Sequence, residues 1–120
     1  MADHNELGMQ GERIARDFLI QKGYKILEKN YRFRHLEVDI IAEHQGYLVV
    51  VEVKTRNSDF MAGPEITVTK QKQRAIVKVA NAYIDDKNID PETRFDIISI
   101  ILNENQKKIE HFCDAFYPLI

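Results

Sequence analysis

Between about Asn5 and Lys22, the residues Leu7, Gly11, Ile14, Ala15, Phe18 and Leu19 recur at helical spacing and fall on one arc. The pattern predicts an amphipathic helix, capped at its start by Asp3 or Asn5 and closed by a left-handed Gly23. Gly8 and Gly11 lower its intrinsic helicity, which close packing against a neighbour would explain. Glu12 projects just beyond the buried arc.

The period then shortens. Tyr24 to Asn30, Leu36 to Ala42 and Tyr47 to Lys54 read as strands. The run Tyr47-Leu48-Val49-Val50-Val51 is apolar on both faces, as expected of a central strand. The short polar connector Glu43-His44-Gln45-Gly46 makes the last two a hairpin, with 42 expected opposite 47. Gly63 and Pro64 break the chain in a loop. Thr67 or Thr69 then caps a second helix that reaches about Asp85, with Lys72, Ile76, Val79, Ala80 and Tyr83 on one side. Arg94 to Leu102 is a buried strand, and Lys107 to Phe112 pairs with it. The order α-β-β-β-α-β-β predicts an α/β protein, a mixed central sheet flanked by helices. The second helix serves as the crossover to a parallel strand. No linker or repeat divides residues 1–120, so a single domain is expected.

Composition narrows the class. The 120 residues are 44% hydrophobic and 30% charged, enough for a packed core without staples. Cys113 is the sole cysteine, which excludes an internal disulfide and fits a reducing compartment. The polar N-terminus and the lack of a long apolar run predict a cytoplasmic protein without membrane association. The net charge of −2 gives no global basic field. Residues 1–80 carry 13 basic and 11 acidic side chains, however, while residues 81–120 carry 4 and 8. Any contact with a polyanion must use a local patch in the first two thirds.

The candidate chemistry lies on the hairpin. Side chains alternate along a strand, so Glu37 and Asp39 share a face, as do Glu52 and Lys54 on its partner. With 42 opposite 47, Glu37 faces Glu52, Asp39 faces Val50 and His35 faces Lys54. Carboxylates this close need a proton, an ammonium or a divalent cation between them. Asp39, Glu52 and the carbonyl of Val53 are the oxygen donors a hard ion such as Mg²⁺ takes, with Mn²⁺ as a substitute. Lys54 would reach a metal-bound water or a phosphate oxygen. That set suits metal-assisted phosphodiester hydrolysis. An acid-x-Lys triplet alone is a weak signal. Its place at the end of a buried strand strengthens it, because desolvating charge is costly.

Arg32, Arg34, Arg56, Lys70, Lys72 and Arg74 are phosphate contacts or ordinary solvated charge, and Thr55 continues past Lys54 toward the site. Lys70 and Lys72 oppose the dipole of the second helix, so helix stability does not account for them. His4, His44 and His111 show no metal-ligand spacing and read as surface residues. Cys113, beside Asp114, reads as a structural thiol.

Asp39 followed by Glu52-Val53-Lys54 resembles the split motif of PD-(D/E)xK nucleases. The wider set Gly11-Glu12, Asn30-Tyr31-Arg32, Glu37 to Ala42, Val51 to Arg56 and Arg94-Phe95-Asp96 resembles the YraN-type family, bacterial proteins similar to archaeal Holliday-junction resolvases. The resemblance spans nearly the whole chain. It implies a restriction-endonuclease-like core, Mg²⁺-dependent cleavage of branched DNA and a homodimer. It makes Asp39, Glu52 and Lys54 the motif, with Glu12 an additional acid. Two functions therefore stand: a metal-dependent endonuclease for branched DNA, and a DNA-binding or adaptor module that keeps the nuclease fold without turnover.

Overall fold

A computed structural model describes residues 4–57 and 68–117. The expected loop breakers Gly63 and Pro64, and the candidate caps Asp3 and Thr67, lie outside these residues. Seven elements follow the expected order: α1 (His4–Gln21), β1 (Lys25–Phe33), β2 (Leu36–His44), β3 (Tyr47–Arg56), α2 (Lys70–Lys87), β4 (Glu92–Leu102) and β5 (Lys107–Phe112). The strands form one mixed sheet in sequence order, with β3 and β4 parallel and the other neighbours antiparallel. No described helix is long and apolar enough to cross a membrane.

Each face of the sheet carries one helix. Ala15 and Leu19 of α1 pack on Ile40, Ala42, Val49, Val51, Ile98 and Ile100. Ile76, Val79, Ala80 and Tyr83 of α2 pack on Val38, Ile41, Leu48, Val50 and Phe95. Both faces of β3 are therefore covered, which is why its apolar run does not alternate. α1 ends as its sequence predicts. Gly23 has φ +91°, and Tyr24 N–H returns to Leu19 O at 3.0 Å. Thr69 caps α2 by accepting Lys72 N–H at 3.1 Å.

The two glycines of α1 have different explanations. A Cβ on Gly11 would overlap the Thr55 side chain on β3, so glycine is what lets the helix sit this close. Gly8 faces open space, and packing does not account for it.

Two expectations are corrected. β1 continues through Tyr31-Arg32-Phe33, and the β1–β2 turn is Arg34-His35 at the tip. The β2–β3 turn is Gln45-Gly46, both left-handed at φ +51° and +86°. This is the two-residue hairpin geometry whose twist matches the strands. His44 therefore pairs with Tyr47 and Ala42 with Val49, a two-residue slip from the expected pairing.

Candidate metal centre

The corrected register rearranges the carboxylates. The β2–β3 ladder closes at Ile40↔Val51, so the next residues on the two strands are Asp39 and Glu52. Glu37 is not opposite Glu52. It pairs with Arg32 across the β1–β2 ladder, with Arg32 Nε 3.1 Å from its carboxylate. His35 is exposed in the turn and faces nothing on β3 in the ladder.

Asp39 sits where regular alternation breaks. Val38 packs toward α2, Ile40 toward α1 and Ile41 toward α2 again. Asn30, bracketed by the pairs Lys29↔Ile40 and Tyr31↔Val38, takes a left-handed φ of +49° beside it. The strands part here, and the Asp39 side chain takes over from the ladder by accepting Val53 N–H at 2.7 Å. The N–H and C=O of one strand residue point to the same neighbour, so the Val53 carbonyl is directed to the Asp39 side as well.

Burial, followed by repulsion from Glu52, pushes the Asp39 carboxyl up to about 8. The Val53 N–H pulls the other way, and Glu12 adds a smaller repulsion. Burial also raises Glu52, whose side chain is 12% exposed, against the opposing charges of Lys72 and Lys54. Lys72 Nζ lies 3.4 Å from Glu52 Oε2. Glu52 Oε1 is buried without a hydrogen-bond partner. An orphaned buried acceptor costs on the order of 1–3 kcal/mol, more when charged. Two desolvated carboxylates, one with an open oxygen and a backbone carbonyl alongside, fit a hard divalent cation.

Of the residues singled out in the sequence, Asp39, Glu52, Val53 and Lys54 come together, and Glu12 reaches the group from α1. Asn30 Nδ2 donates to Glu12 Oε1 at 2.8 Å, holding that acid beside Asp39. Asn30 ends the strand expected from the sequence, and only the longer β1 sets it in mid-strand, in the left-handed backbone that asparagine adopts more readily than most residues. Thr55 is spent on packing under Gly11. Lys72 is an ion-pair partner of Glu52, which explains a cation in the first turn of α2. Arg32, 75% exposed, is paired with Glu37, and Arg34 lies over Phe33 with its guanidinium 5.0 Å from the ring centre. Arg34 at the hairpin tip, Arg56 at the end of β3, and Lys70 and Arg74 in the first turns of α2 rim the same end of the sheet.

His44 and His111 are not surface residues. His44 stacks on Tyr24 with ring centres 3.8 Å apart. His111 contacts Asp96 at 2.7 Å with 5% of its side chain exposed.

A five-stranded mixed sheet, helices on both faces and a D…ExK set at the point where β2 and β3 part together place the protein in the restriction-endonuclease-like superfamily. Residues 11–100 match the uncharacterised protein family UPF0102, and the chain belongs to that family. It is similar along its length to UPF0102 proteins of three bacteria. It shares 47% identity with that of Flavobacterium psychrophilum, over 98% of each chain. Identity is 46% with that of Parabacteroides distasonis, over 98% of this chain and 97% of the other. With that of Phocaeicola vulgatus it is 42%, over 100% and 99%.

Proposed function

We propose that the protein is a metal-dependent DNA endonuclease selective for branched DNA such as four-way junctions. One observation carries this function: two desolvated carboxylates, Asp39 and Glu52, are held together with an open oxygen on Glu52 and lysines on the same side. Asp39, Glu52 and the Val53 carbonyl would hold Mg²⁺ or Mn²⁺. The ion, when bound, would supply polarisation of the phosphodiester and acidification of a water. Lys54 stabilises the negative charge that develops on the phosphate oxygens. Glu12, fixed by Asn30, orients water at the edge of the site. Arg34, Arg56, Lys70 and Arg74 position the phosphate backbone, so affinity for DNA falls steeply with salt. A homodimer would present two such centres to the two strands of a junction.

The decisive experiment is cleavage of a panel of duplex, flap and four-way-junction DNA, with and without Mg²⁺ or Mn²⁺. Junction cleavage that requires the ion and is lost in Asp39→Asn, Glu52→Gln and Lys54→Ala is expected. Millimolar Mg²⁺ should also raise the melting temperature of the parent by a few degrees and leave Asp39→Asn nearly unmoved. The adaptor reading draws on the Lys72–Glu52 ion pair, which already balances one carboxylate. Salt-sensitive DNA binding without cleavage, and without a response to Mg²⁺, would establish that reading instead.

A further inference from the structure

A second constellation lies across the sheet, between β4, β5 and the C-terminal end of α1. The proposed nuclease centre does not use it. Asp96 is on β4, His111 on β5, and Cys113 in the turn just past β5. His111 Nε2 is 2.7 Å from Asp96 Oδ2 and 3.6 Å from Cys113 Sγ. One ligand atom from each residue lies within 4.8 Å of the other two.

These groups are held in place by their surroundings. Arg94 grips the Asp96 carboxylate with Nε and Nη2, both at 2.9 Å, and Asp114 N–H donates to it at 2.9 Å. The His111 ring sits between Phe18, 6.0 Å away edge-on, and Tyr24, at 5.9 Å. Cys113 is exposed, so the group opens to solvent on the thiol side.

We propose that Asp96, His111 and Cys113 form a binding site for a thiophilic divalent cation of the Zn²⁺ class, separate from the Asp39–Glu52 centre. One oxygen, one imidazole nitrogen and one sulfur make the mixed donor set such an ion takes, and one that Mg²⁺ avoids. With Zn–N near 2.0 Å and Zn–S near 2.3 Å in a tetrahedron, nitrogen and sulfur stand about 3.5 Å apart, close to the 3.6 Å that His111 and Cys113 already have. The Asp96–His111 contact is shorter, at hydrogen-bond length. The ion replaces the proton between those two groups, and the pair opens by roughly half an ångström to tetrahedral spacing. Arg94 and the Asp114 amide hold the carboxylate from behind, the part that outer hydrogen bonds play in metal sites. Three protein ligands leave a fourth position on the open side for water or an exogenous ligand. Strand alternation does not mark this group in the sequence, because β5 ends at Phe112 and Cys113 lies in the turn that follows.

Cys113 is the sole thiol of the chain, so a thiolate-to-cobalt charge-transfer band can arise from no other residue. The test is titration of the full reduced chain with Co²⁺, followed by displacement with Zn²⁺. One equivalent of Co²⁺ per chain should produce the band, and Zn²⁺ should abolish it. Cys113→Ser, an exposed substitution that spares the fold, should remove the band. His111→Gln should weaken Co²⁺ at least about tenfold, as loss of a ligand does. Asp39→Asn should leave the band unchanged, which separates this site from the nuclease centre. Three results would each overturn the proposal: no band at millimolar Co²⁺, a band indifferent to His111→Gln, or a stoichiometry of one ion per two chains.

Discussion

The protein buries carboxylates in two places on one sheet and treats them oppositely. Asp96, 1% exposed, receives Arg94 through two nitrogens, the Asp114 amide and His111. Burial alone would raise its carboxyl, but those hydrogen bonds outweigh it and hold the group below the usual carboxylate range. Asp39 receives one backbone amide, and its neighbours Glu52 and Glu12 repel it, so burial prevails and the carboxyl rises to about 8. The first carboxylate is held ionised by partners the fold itself supplies. The second has too few of them and keeps a proton until another cation takes its place.

Removing each carboxylate should give the largest contrast. Asp96→Ala strands a largely buried Arg94, and losing one partner of a buried pair costs about 3–5 kcal/mol. Asp39→Asn removes a buried carboxyl that the fold must keep protonated at neutral pH, so the metal-free protein should keep or gain stability. Urea unfolding at neutral pH in a chelating buffer measures both. Equal losses would erase the distinction.

The pH dependence separates the two regions by sign. The folded value of Asp39 lies above its ordinary 3.8, so the native state holds a proton that the unfolded chain has released. Its contribution to stability is complete below about pH 4 and is lost as the pH rises toward 8. Asp96 lies below 3.8, so its contribution is complete above that value and is lost as the pH falls through the folded value. The metal-free parent should therefore lose on the order of a few kcal/mol between about pH 5 and pH 8. Asp39→Asn should flatten that limb and leave the acid limb in place. Thermal melts across pH, with and without Mg²⁺, test both limbs.

The smallest effects concern α1, whose Glu12 borders one region and whose Phe18 borders the other. Gly11→Ala forces a methyl into Thr55 and should cost about 1–3 kcal/mol. Gly8→Ala meets open space and should gain about 0.5–1 kcal/mol. A loss at Gly8 would mean that this glycine answers to something other than helix propensity.

Periodicity was enough to read the elements, their order and the double-faced burial of β3, because the apolar run from Leu48 to Val51 allows no other position in a sheet. It was also enough to put Asp39, Glu52 and Lys54 into one neighbourhood. The β2–β3 register was beyond it. Pairing 42 with 47 and pairing 44 with 47 differ by two residues, and a two-residue slip returns every side chain to its own face. Both registers satisfy the same hydrophobic pattern. The left-handed Gln45-Gly46 turn decides between them, moving Glu37 to Arg32 and setting Asp39 next to Glu52. The assembly around Asp96 was further out of reach. Tyr24, Arg94, Asp96, His111 and Cys113 meet only after β4 has paired with β5 and α1 has turned back over the sheet, and no local period along the chain encodes which distant polar groups that packing will bring within bonding distance.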